Sequence, residues 1–181
     1  MDKKILRFAS PTISGIKTGN LFKVYISEYD DLDNTLLRYN NLLNTYGIYL
    51  LKIYNTDIYA LIYIFRINHL KNDLFDKKIK EFLISYGYNY SSISTIISSL
   101  KNNFYRNSHI PHEVGLFLGY PLEDVIGFIT NKGKNYKISG CWKVYGDPIK
   151  YDKIFENYKK CRDNNLLLYD IGFPLESLIY S

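Results

Sequence analysis

The longest apolar run of the chain, IYALIYIF at Ile58 to Phe65, is the feature that most limits its fold. A membrane-spanning helix needs roughly 20 consecutive apolar residues, so this run is far too short to cross a bilayer. Its β-branched and aromatic residues instead predict a buried strand. A second β-prone run, Ile48 to Tyr54, precedes it across Asn55-Thr56-Asp57. The two runs together predict an antiparallel hairpin over 48–54 and 58–66.

Apolar residues at helical spacing, with capping residues at their ends, predict helices on both sides of this hairpin. The first is capped by Asp30 or Asp31, and Gly47 stands where a C-terminal cap would. The predicted helices lie at 31–45, at 69–86 before Gly87, from Ser91 to the break at Asn107-Ser108, from Pro121 as first helical residue, and from Asp147-Pro148 to about Arg162. Further strands are predicted at Val114 to Leu118 and at Tyr136 to Tyr145, the latter after an Asn131-Lys132-Gly133 turn.

This order of elements lacks regular strand–helix–strand alternation, and an α+β fold is therefore expected. The 181 residues fit one domain over 1–181. We expect a small antiparallel or mixed sheet with about five helices packed against it.

The composition is typical of a globular protein, and the N-terminal segment predicts a cytoplasmic location. The start MDKKILRFASPT lacks the apolar stretch of roughly 7 to 15 residues that a secretory signal needs. No run is long enough for a membrane span, so no membrane association is expected. The two cysteines, Cys141 and Cys161, are expected to be reduced thiols in such a compartment.

The three histidines are His69, His109 and His112, and the last two form HxxH followed by Glu113. This set could supply metal ligands, but Pro111 argues against the regular helix that would place them on one face. A single histidine, His112 or His109, would suffice as an axial ligand of haem. His112 and Glu113 could also act as an acid/base pair, although adjacent residues of an extended segment point to opposite faces.

Two further segments suggest contacts with an anion. Residues Ser10 to Asn20 are rich in hydroxyl groups and glycine and contain one lysine, Lys17, which predicts a loop that could bind a carboxylate or phosphate. Between Lys132 and Arg162 there are nine basic and three acidic residues, 9 − 3 = +6, against +5 for the whole chain. One face of the C-terminal region should therefore be positive and suit an acidic partner or an anionic ligand.

The Lys132–Arg162 segment also contains Trp142, a core and edge aromatic that could line a pocket. Nucleic acid is a weaker candidate because no recognised motif accompanies the modest charge. The glycines form no nucleotide-binding motif.

Five segments carry a resemblance to a known family. They are SPTISGIKTGNLF at 10–22, ALIYIFR at 60–66, PHEVGLFLGYPLEDVIGFI at 111–129, GCWKVYGD at 140–147, and Phe155, Tyr158 and Cys161 spaced as FxxYxxC. Together they resemble an uncharacterised family of small cytoplasmic proteins from anaerobic, mostly low-GC bacteria, a domain of unknown function. The resemblance covers nearly the whole chain. The family pattern has a cysteine near the start of the first segment, where this chain has Ala9 or Ser10.

The family has no assigned activity, but its members are often encoded near flavodoxins and iron-acquisition genes. The resemblance therefore implies a link to iron, haem or low-potential electron transfer.

Two hypotheses follow from the residues and the resemblance together. The first is a cytoplasmic small-molecule-binding protein, accessory to iron or haem metabolism, whose anionic ligand is a tetrapyrrole or a similar molecule. Its site would lie between the Thr12 to Lys17 loop and the His112 to Tyr120 segment. His112 and Glu113 would be its catalytic residues if it is an enzyme, which stays open, and His112 or His109 would hold haem or a metal. The ligand-binding residues would be Thr12, Lys17, Arg66, Tyr120, Lys143 and Tyr145.

The second hypothesis is a non-enzymatic adaptor. Its basic face between Lys132 and Arg162 would dock an acidic redox partner such as a flavodoxin.

Overall fold

A three-stranded antiparallel sheet lies at the centre of the protein, with β3 between β1 and β2. The strands are β1 (Gly19–Tyr25), β2 (Ile48–Asn55) and β3 (Tyr59–Arg66). Gly19 lies opposite Phe65, and Ile48 lies opposite Arg66. The hairpin predicted from the apolar run is therefore confirmed as β2 and β3. The other strands, β4 (Ile138–Ser139) and β5 (Lys143–Val144), pair with each other in a separate small hairpin.

The computed structural model describes residues 1–106 and 110–179. Within these ranges the chain forms eight α-helices. They are α1 (Asp2–Ile13), α2 (Leu32–Leu43), α3 (Ile67–Leu74), α4 (Lys77–Ser85), α5 (Ile93–Arg106), α6 (Val114–Phe117), α7 (Leu122–Thr130) and α8 (Pro148–Asp170). Short 3-10 turns occupy Ile26–Glu28, Asn44–Tyr46 and Leu175–Leu178. The α+β class predicted from the sequence is confirmed, with an antiparallel sheet.

The central strand is apolar from Ala60 to Phe65, and these residues are buried on both faces of the sheet. Side chains alternate along a strand, so Ala60, Ile62 and Ile64 face one core while Leu61, Tyr63 and Phe65 face another. The first core is closed by α1, α2 and the C-terminal 3-10 turn. The second is closed by α3 to α7. The sheet is thus covered by helices on both sides, and the second layer contains the segment that follows Pro111.

The N-terminal segment differs from its prediction. Ser10, Pro11 and Thr12 belong to α1, whereas a loop was predicted from Ser10 to Asn20. That prediction is wrong for these residues, because the packing of apolar side chains stabilises α1 despite the low helix propensity of Ser10, Pro11 and Thr12. The buried side chains of α1 include Ile5, Leu6, Ala9 and Ile13, which are all fully buried. The Ser10 hydroxyl donates to the Leu6 carbonyl at 2.6 Å within the helix. Only residues 14–18 form the turn into β1.

The segment Val114 to Leu118 is also not a strand as predicted, because Val114–Phe117 form α6. All of its residues are buried, so the apolar composition that favoured a strand reflects burial on every side. A Cβ at Gly115 would lie 2.8 Å from Val125 Cγ2 and 2.9 Å from Tyr120 Cδ2. The absence of a side chain at Gly115 is what lets α6 pack so closely on α7.

The boundaries of several other elements differ from those predicted from the sequence. The helix predicted over 69–86 is divided into α3 and α4 at Asp76, whose carboxylate accepts from the backbone N–H groups of Lys78 and Ile79. The strand predicted over 136–145 is reduced to β4 and β5. The last helix continues past Arg162 to Asp170, since Leu166, Leu168 and Tyr169 pack against the first core. Pro121 is the N-cap of α7 rather than its first residue. The break predicted at Asn107-Ser108 lies outside the described residues.

No helix in the described ranges is both long enough and apolar enough to cross a membrane.

Candidate functional site

A cavity of about 520 Å³ opens between α7 and the β4–β5 hairpin, and we call it the hairpin cavity. Its walls are mostly apolar and come from Ile110, Pro111, Val114, Val125, Phe128 and Trp142. The polar groups on its lining include His112, Tyr120 and Lys143. A mainly apolar cavity with a few polar groups is the usual form of a small-molecule site, for which volumes of roughly 300 to 1,000 Å³ are typical.

Aromatic rings form two sides of the hairpin cavity. The Tyr120 ring stacks on Trp142 with 4.5 Å between centroids and 25° between planes. Behind Trp142, the Phe155 ring of α8 meets it edge-on at 4.6 Å. On the other side, the His112 imidazole contacts the Phe128 ring at 4.9 Å. These contacts present flat surfaces to a ligand and hold them in fixed orientations.

Asp124 of α7 fixes the hairpin that closes the cavity. Its side chain is only 2% exposed, and one oxygen accepts from Trp142 Nε1 at 2.8 Å. The other oxygen accepts from the backbone N–H groups of Tyr145 at 2.7 Å and Gly146 at 2.9 Å. Three hydrogen bonds to one buried carboxylate make Asp124 an anchor for Trp142 and β5.

Lys143 is the cation of the hairpin cavity. Its Nζ donates to the Gly133 carbonyl at 2.6 Å and lies 4.8 Å from the centre of the Tyr136 ring. Neither partner carries a negative charge. The charge of Lys143 therefore stays available to an acidic group of a ligand.

The structure brings together three of the predicted site residues, His112, Tyr120 and Lys143, on the lining of this cavity. Glu113, the proposed companion of His112, points elsewhere. It is 5% exposed and its Oε1 accepts from the Tyr88 hydroxyl and from Asn103 Nδ2, both at 3.0 Å. Glu113 thus joins α6 to α5 instead of facing the ligand space.

Thr12, Arg66 and Tyr145 also lie off the lining of this cavity. The Thr12 hydroxyl donates to Asn20 Oδ1 at 2.8 Å. The Arg66 guanidinium donates to the carbonyls of Thr12 at 2.7 Å and Ile13 at 2.5 Å, and its burial lowers its pKa. The Tyr145 hydroxyl donates to the Lys134 carbonyl at 2.9 Å. In these contacts the three side chains join separate segments of the chain. His109 lies outside the described residues.

Lys17 lies in a second, smaller pocket of about 120 Å³, which we call the basic pocket. It is lined by Arg7 of α1, by Lys159 and Arg162 of α8, and by Cys141 and Tyr158 among others. Cys141 also lines the hairpin cavity. The Lys17 Nζ lies 5.1 Å from the centre of the Tyr120 ring. Tyr120 and Cys141 therefore lie between the two pockets.

The thiols of Cys141 and Cys161 are both free. Burial raises the pKa of each, so that neither is an activated thiolate at neutral pH.

Sequence reasoning placed Lys159 and Arg162 only within the basic face of Lys132–Arg162, and it did not assign Arg7 to any site. Helical spacing offered a signal, because Phe155, Lys159 and Arg162 are four and three residues apart and so share one face of α8. Which residues of α1 meet that face is a tertiary contact, and no local pattern encodes it.

Among residues 1–106 and 110–179, no group of three or more His, Cys, Asp or Glu side chains is arranged to hold a metal ion.

An α+β protein with an aromatic-walled cavity beside a basic pocket is the class that the fold and these sites define. The family described as "Protein of unknown function (DUF3793)" matches residues 5–179, and the chain belongs to it. The resemblance to a domain of unknown function is thereby confirmed. Comparison with curated proteins and with solved structures gave no match.

Proposed function

We propose that this is a cytoplasmic protein that binds a small, flat, largely apolar molecule with an acidic group in the hairpin cavity. The observation that carries the proposal is the lining itself: apolar and aromatic walls with His112, Tyr120, Lys143 and the hydrogen-bonded Asp124 among the polar groups. Stacked Tyr120 and Trp142 suit a planar ring system, and Lys143 suits a carboxylate. The acidic group thus meets Lys143 rather than Arg66, whose donors already bind backbone carbonyls.

A tetrapyrrole such as haem is the first ligand to test, and it would make the protein an accessory of iron or haem metabolism. Haem would supply an iron centre, which the His112 imidazole would hold, and Lys143 would pair with a propionate. Aromatic walls fit the macrocycle. The proposal of haem rests on His112, Lys143 and the apolar lining, and it does not need a cluster of metal-binding side chains.

The fluorescence of Trp142 provides the direct test, because Trp142 is the single tryptophan of the chain and lines the cavity. Haemin and iron-free protoporphyrin are each titrated into the purified protein. Saturable quenching by both, weakened by Lys143→Gln, is expected. Quenching that does not saturate, or that Lys143→Gln leaves unchanged, contradicts binding in this cavity.

Iron ligation is tested separately by the absorption spectrum of the haemin complex. A shifted Soret band that is lost in His112→Ala is expected, while His69→Ala on α3 serves as the matched control and should keep it. A band that survives in His112→Ala would remove His112 from the site. Loss of the band in both variants would indicate general damage rather than ligation.

The exposed lysines of α8 favour a second candidate, a non-enzymatic adaptor that docks an acidic redox partner such as a flavodoxin. Lys150, Lys153, Lys159 and Lys160 are all exposed on this helix. Among the described residues, the ion pairs include Arg162 with Asp163 but none of these four lysines. Such charges steer association and are screened by salt.

This candidate is tested by binding to a flavodoxin at low and high salt. Affinity should fall as salt rises, and Lys153→Glu with Lys160→Glu should weaken binding more than the matched pair Lys77→Glu with Lys80→Glu on α4. No binding at low salt, or binding insensitive to salt, contradicts docking through α8.

A further inference from the structure

The basic pocket between α1 and α8 has an unusual charge balance. Arg7, Lys17, Lys159 and Arg162 line it, and no carboxylate is among its described lining residues. Arg162 pairs with its neighbour Asp163, which is half exposed. The pocket therefore presents an excess of positive charge to whatever enters it, as an anion site does.

Lys17 is the innermost of these cations, with only 5% of its surface exposed. Its Nζ donates to the Gly19 carbonyl at 2.7 Å and lies over the Tyr120 ring. Both partners are uncharged, and within the described residues no acidic side chain forms an ion pair with Lys17. A buried ammonium without a counter-ion is costly, so such a group favours its neutral form.

The titration of Lys17 agrees with this geometry. Burial lowers the pKa of Lys17 to about 7, against about 10.4 for an exposed lysine. The Cys141 thiol beside it does not supply a negative charge at neutral pH, because burial raises its own pKa. Tyr158 is likewise uncharged there, since burial raises its pKa to about 12. A large fraction of Lys17 is thus a free amine, and a free amine is a nucleophile toward carbonyl groups.

We propose that Lys17 forms an imine with a short 2-oxo acid whose carboxylate is held by Arg7, Lys159 and Arg162. This goes beyond ligand binding in the hairpin cavity and rests on different residues. The volume of about 120 Å³ is well below the roughly 300 Å³ at which drug-sized ligand sites begin, so it suits a molecule of a few heavy atoms. Guanidinium groups bind carboxylates with paired hydrogen bonds, and an acid of the glyoxylate or pyruvate type meets both requirements.

The step balances without an oxidant or reductant. The Lys17 nitrogen lone pair forms the C–N bond to the carbonyl carbon, and the carbonyl oxygen takes up the proton that the nitrogen releases. This carbinolamine then loses its hydroxyl group with a second proton from the nitrogen, as one water molecule. The product is a C=N bond that water can hydrolyse back to the amine and the 2-oxo acid.

Reductive trapping tests the proposal on the full-length protein. Glyoxylate and cyanoborohydride at pH 7 would convert the imine into a stable secondary amine, which peptide mass mapping locates. Lys17 should be labelled more than about tenfold faster than an exposed lysine such as Lys78, because its free-amine fraction is far larger. The N-terminal α-amine also reacts and is distinguished by its peptide. Labelling of the N-terminus and exposed lysines without Lys17 overturns the proposal.

Two comparisons test the role of the carboxylate. Propionaldehyde has the carbonyl but no acid group, and it should label Lys17 more slowly than glyoxylate at equal concentration. Arg162→Gln should lower labelling by glyoxylate, whereas Lys160→Gln, an exposed position on the same helix, should not. Equal labelling by the two carbonyl compounds overturns the anion site. Because trapping is measured in wild-type protein without haemin, it fails or succeeds separately from binding in the hairpin cavity.

Discussion

At the scale of single residues, Asp124 is the side chain on which the hairpin cavity most depends. We expect Asp124→Ala to lower the free energy of unfolding by about 2 to 4 kcal/mol, since it leaves the Trp142 indole N–H and two backbone N–H groups without their acceptor. Urea unfolding followed by Trp142 fluorescence measures this. Glu123→Ala, an exposed acid in the same first turn, should cost at most about 1 kcal/mol. Equal losses in the two variants would show that Asp124 is not an anchor.

Gly119 supports a second prediction at this scale. Its φ of +80° is in the left-handed region, and a Cβ there would lie 2.8 Å from the Thr18 hydroxyl oxygen. Gly87 has a similar φ of +83° with nothing within 4 Å of a Cβ. Gly87→Ala should cost about 1 kcal/mol for the backbone conformation alone. Gly119→Ala should cost clearly more in urea unfolding, and an equal cost would exclude crowding against Thr18.

The candidate site shows what residue types alone can predict. Polar residues that lie next to apolar ones in the sequence were predicted as site residues. Three of them line the hairpin cavity: His112, Tyr120 and Lys143. Glu113 has the same appearance in sequence, yet Tyr88 and Asn103 turn it into a structural acceptor. These partners precede it by 25 and 10 residues, and a local pattern contains no information about them.

At the scale of elements, the sequence predicted well where local signals and burial agree. Asp31 and Asp147 cap α2 and α8 as expected, each accepting from backbone N–H groups of the first turn. Pattern reasoning failed where burial opposes local preference. In α1, a proline and hydroxyl residues indicated a loop, but four fully buried apolar side chains stabilise a helix. In α6, burial on all sides removed the periodicity that distinguishes a short helix from a strand.

Glu113 connects two of these elements, and its replacement tests that connection. Glu113→Ala removes the acceptor that the buried Tyr88 hydroxyl and the Asn103 amide share, so Asn103 of α5 loses its hydrogen bond to the residue that precedes α6. We expect a loss of about 2 to 4 kcal/mol in urea unfolding and faster amide hydrogen exchange along α5. Glu81→Ala, an exposed acid on α4, should change neither by more than about 0.5 kcal/mol. Unchanged exchange in α5 would contradict the structural role and return Glu113 to the candidate chemistry.

At the scale of the whole molecule, the sheet separates the two cores, and the two pockets share a wall. Cys141 of the β4–β5 hairpin lines both pockets, whereas the segment after Pro111 lines only the hairpin cavity, and α1 and α8 line only the basic pocket. The fold class followed from the order of elements, because that order is a property of the sequence. The meeting of α1, α8 and the β4–β5 hairpin around Lys17 depends on how distant elements pack, which explains why Lys17 was predicted in an open loop.

The buried Lys17 gives the whole protein a specific pH dependence. Its pKa is about 7 in the folded state and about 10.4 in the unfolded state. Between these values the unfolded chain binds a proton that the folded protein does not, so stability rises with pH across this window. Below pH 7 both states bind the proton, and the destabilising effect of Lys17 is complete and constant. Tyrosines of the unfolded chain begin to ionise near pH 10, so the measurements end at pH 9.5.

Urea unfolding at pH 7.5, 8.5 and 9.5 compares the wild type with Lys17→Met. The wild type should gain about 2 kcal/mol relative to the variant over this range, since each pH unit contributes up to about 1.4 kcal/mol. The raised pKa values of Cys141 and Cys161 act in the opposite direction, because the unfolded chain loses those protons first, but both thiols are present in both proteins. Lys78→Met, which replaces an exposed lysine, should parallel the wild type. A constant difference between wild type and Lys17→Met would mean that Lys17 stays charged in the fold, and it would also remove the free amine that imine formation requires.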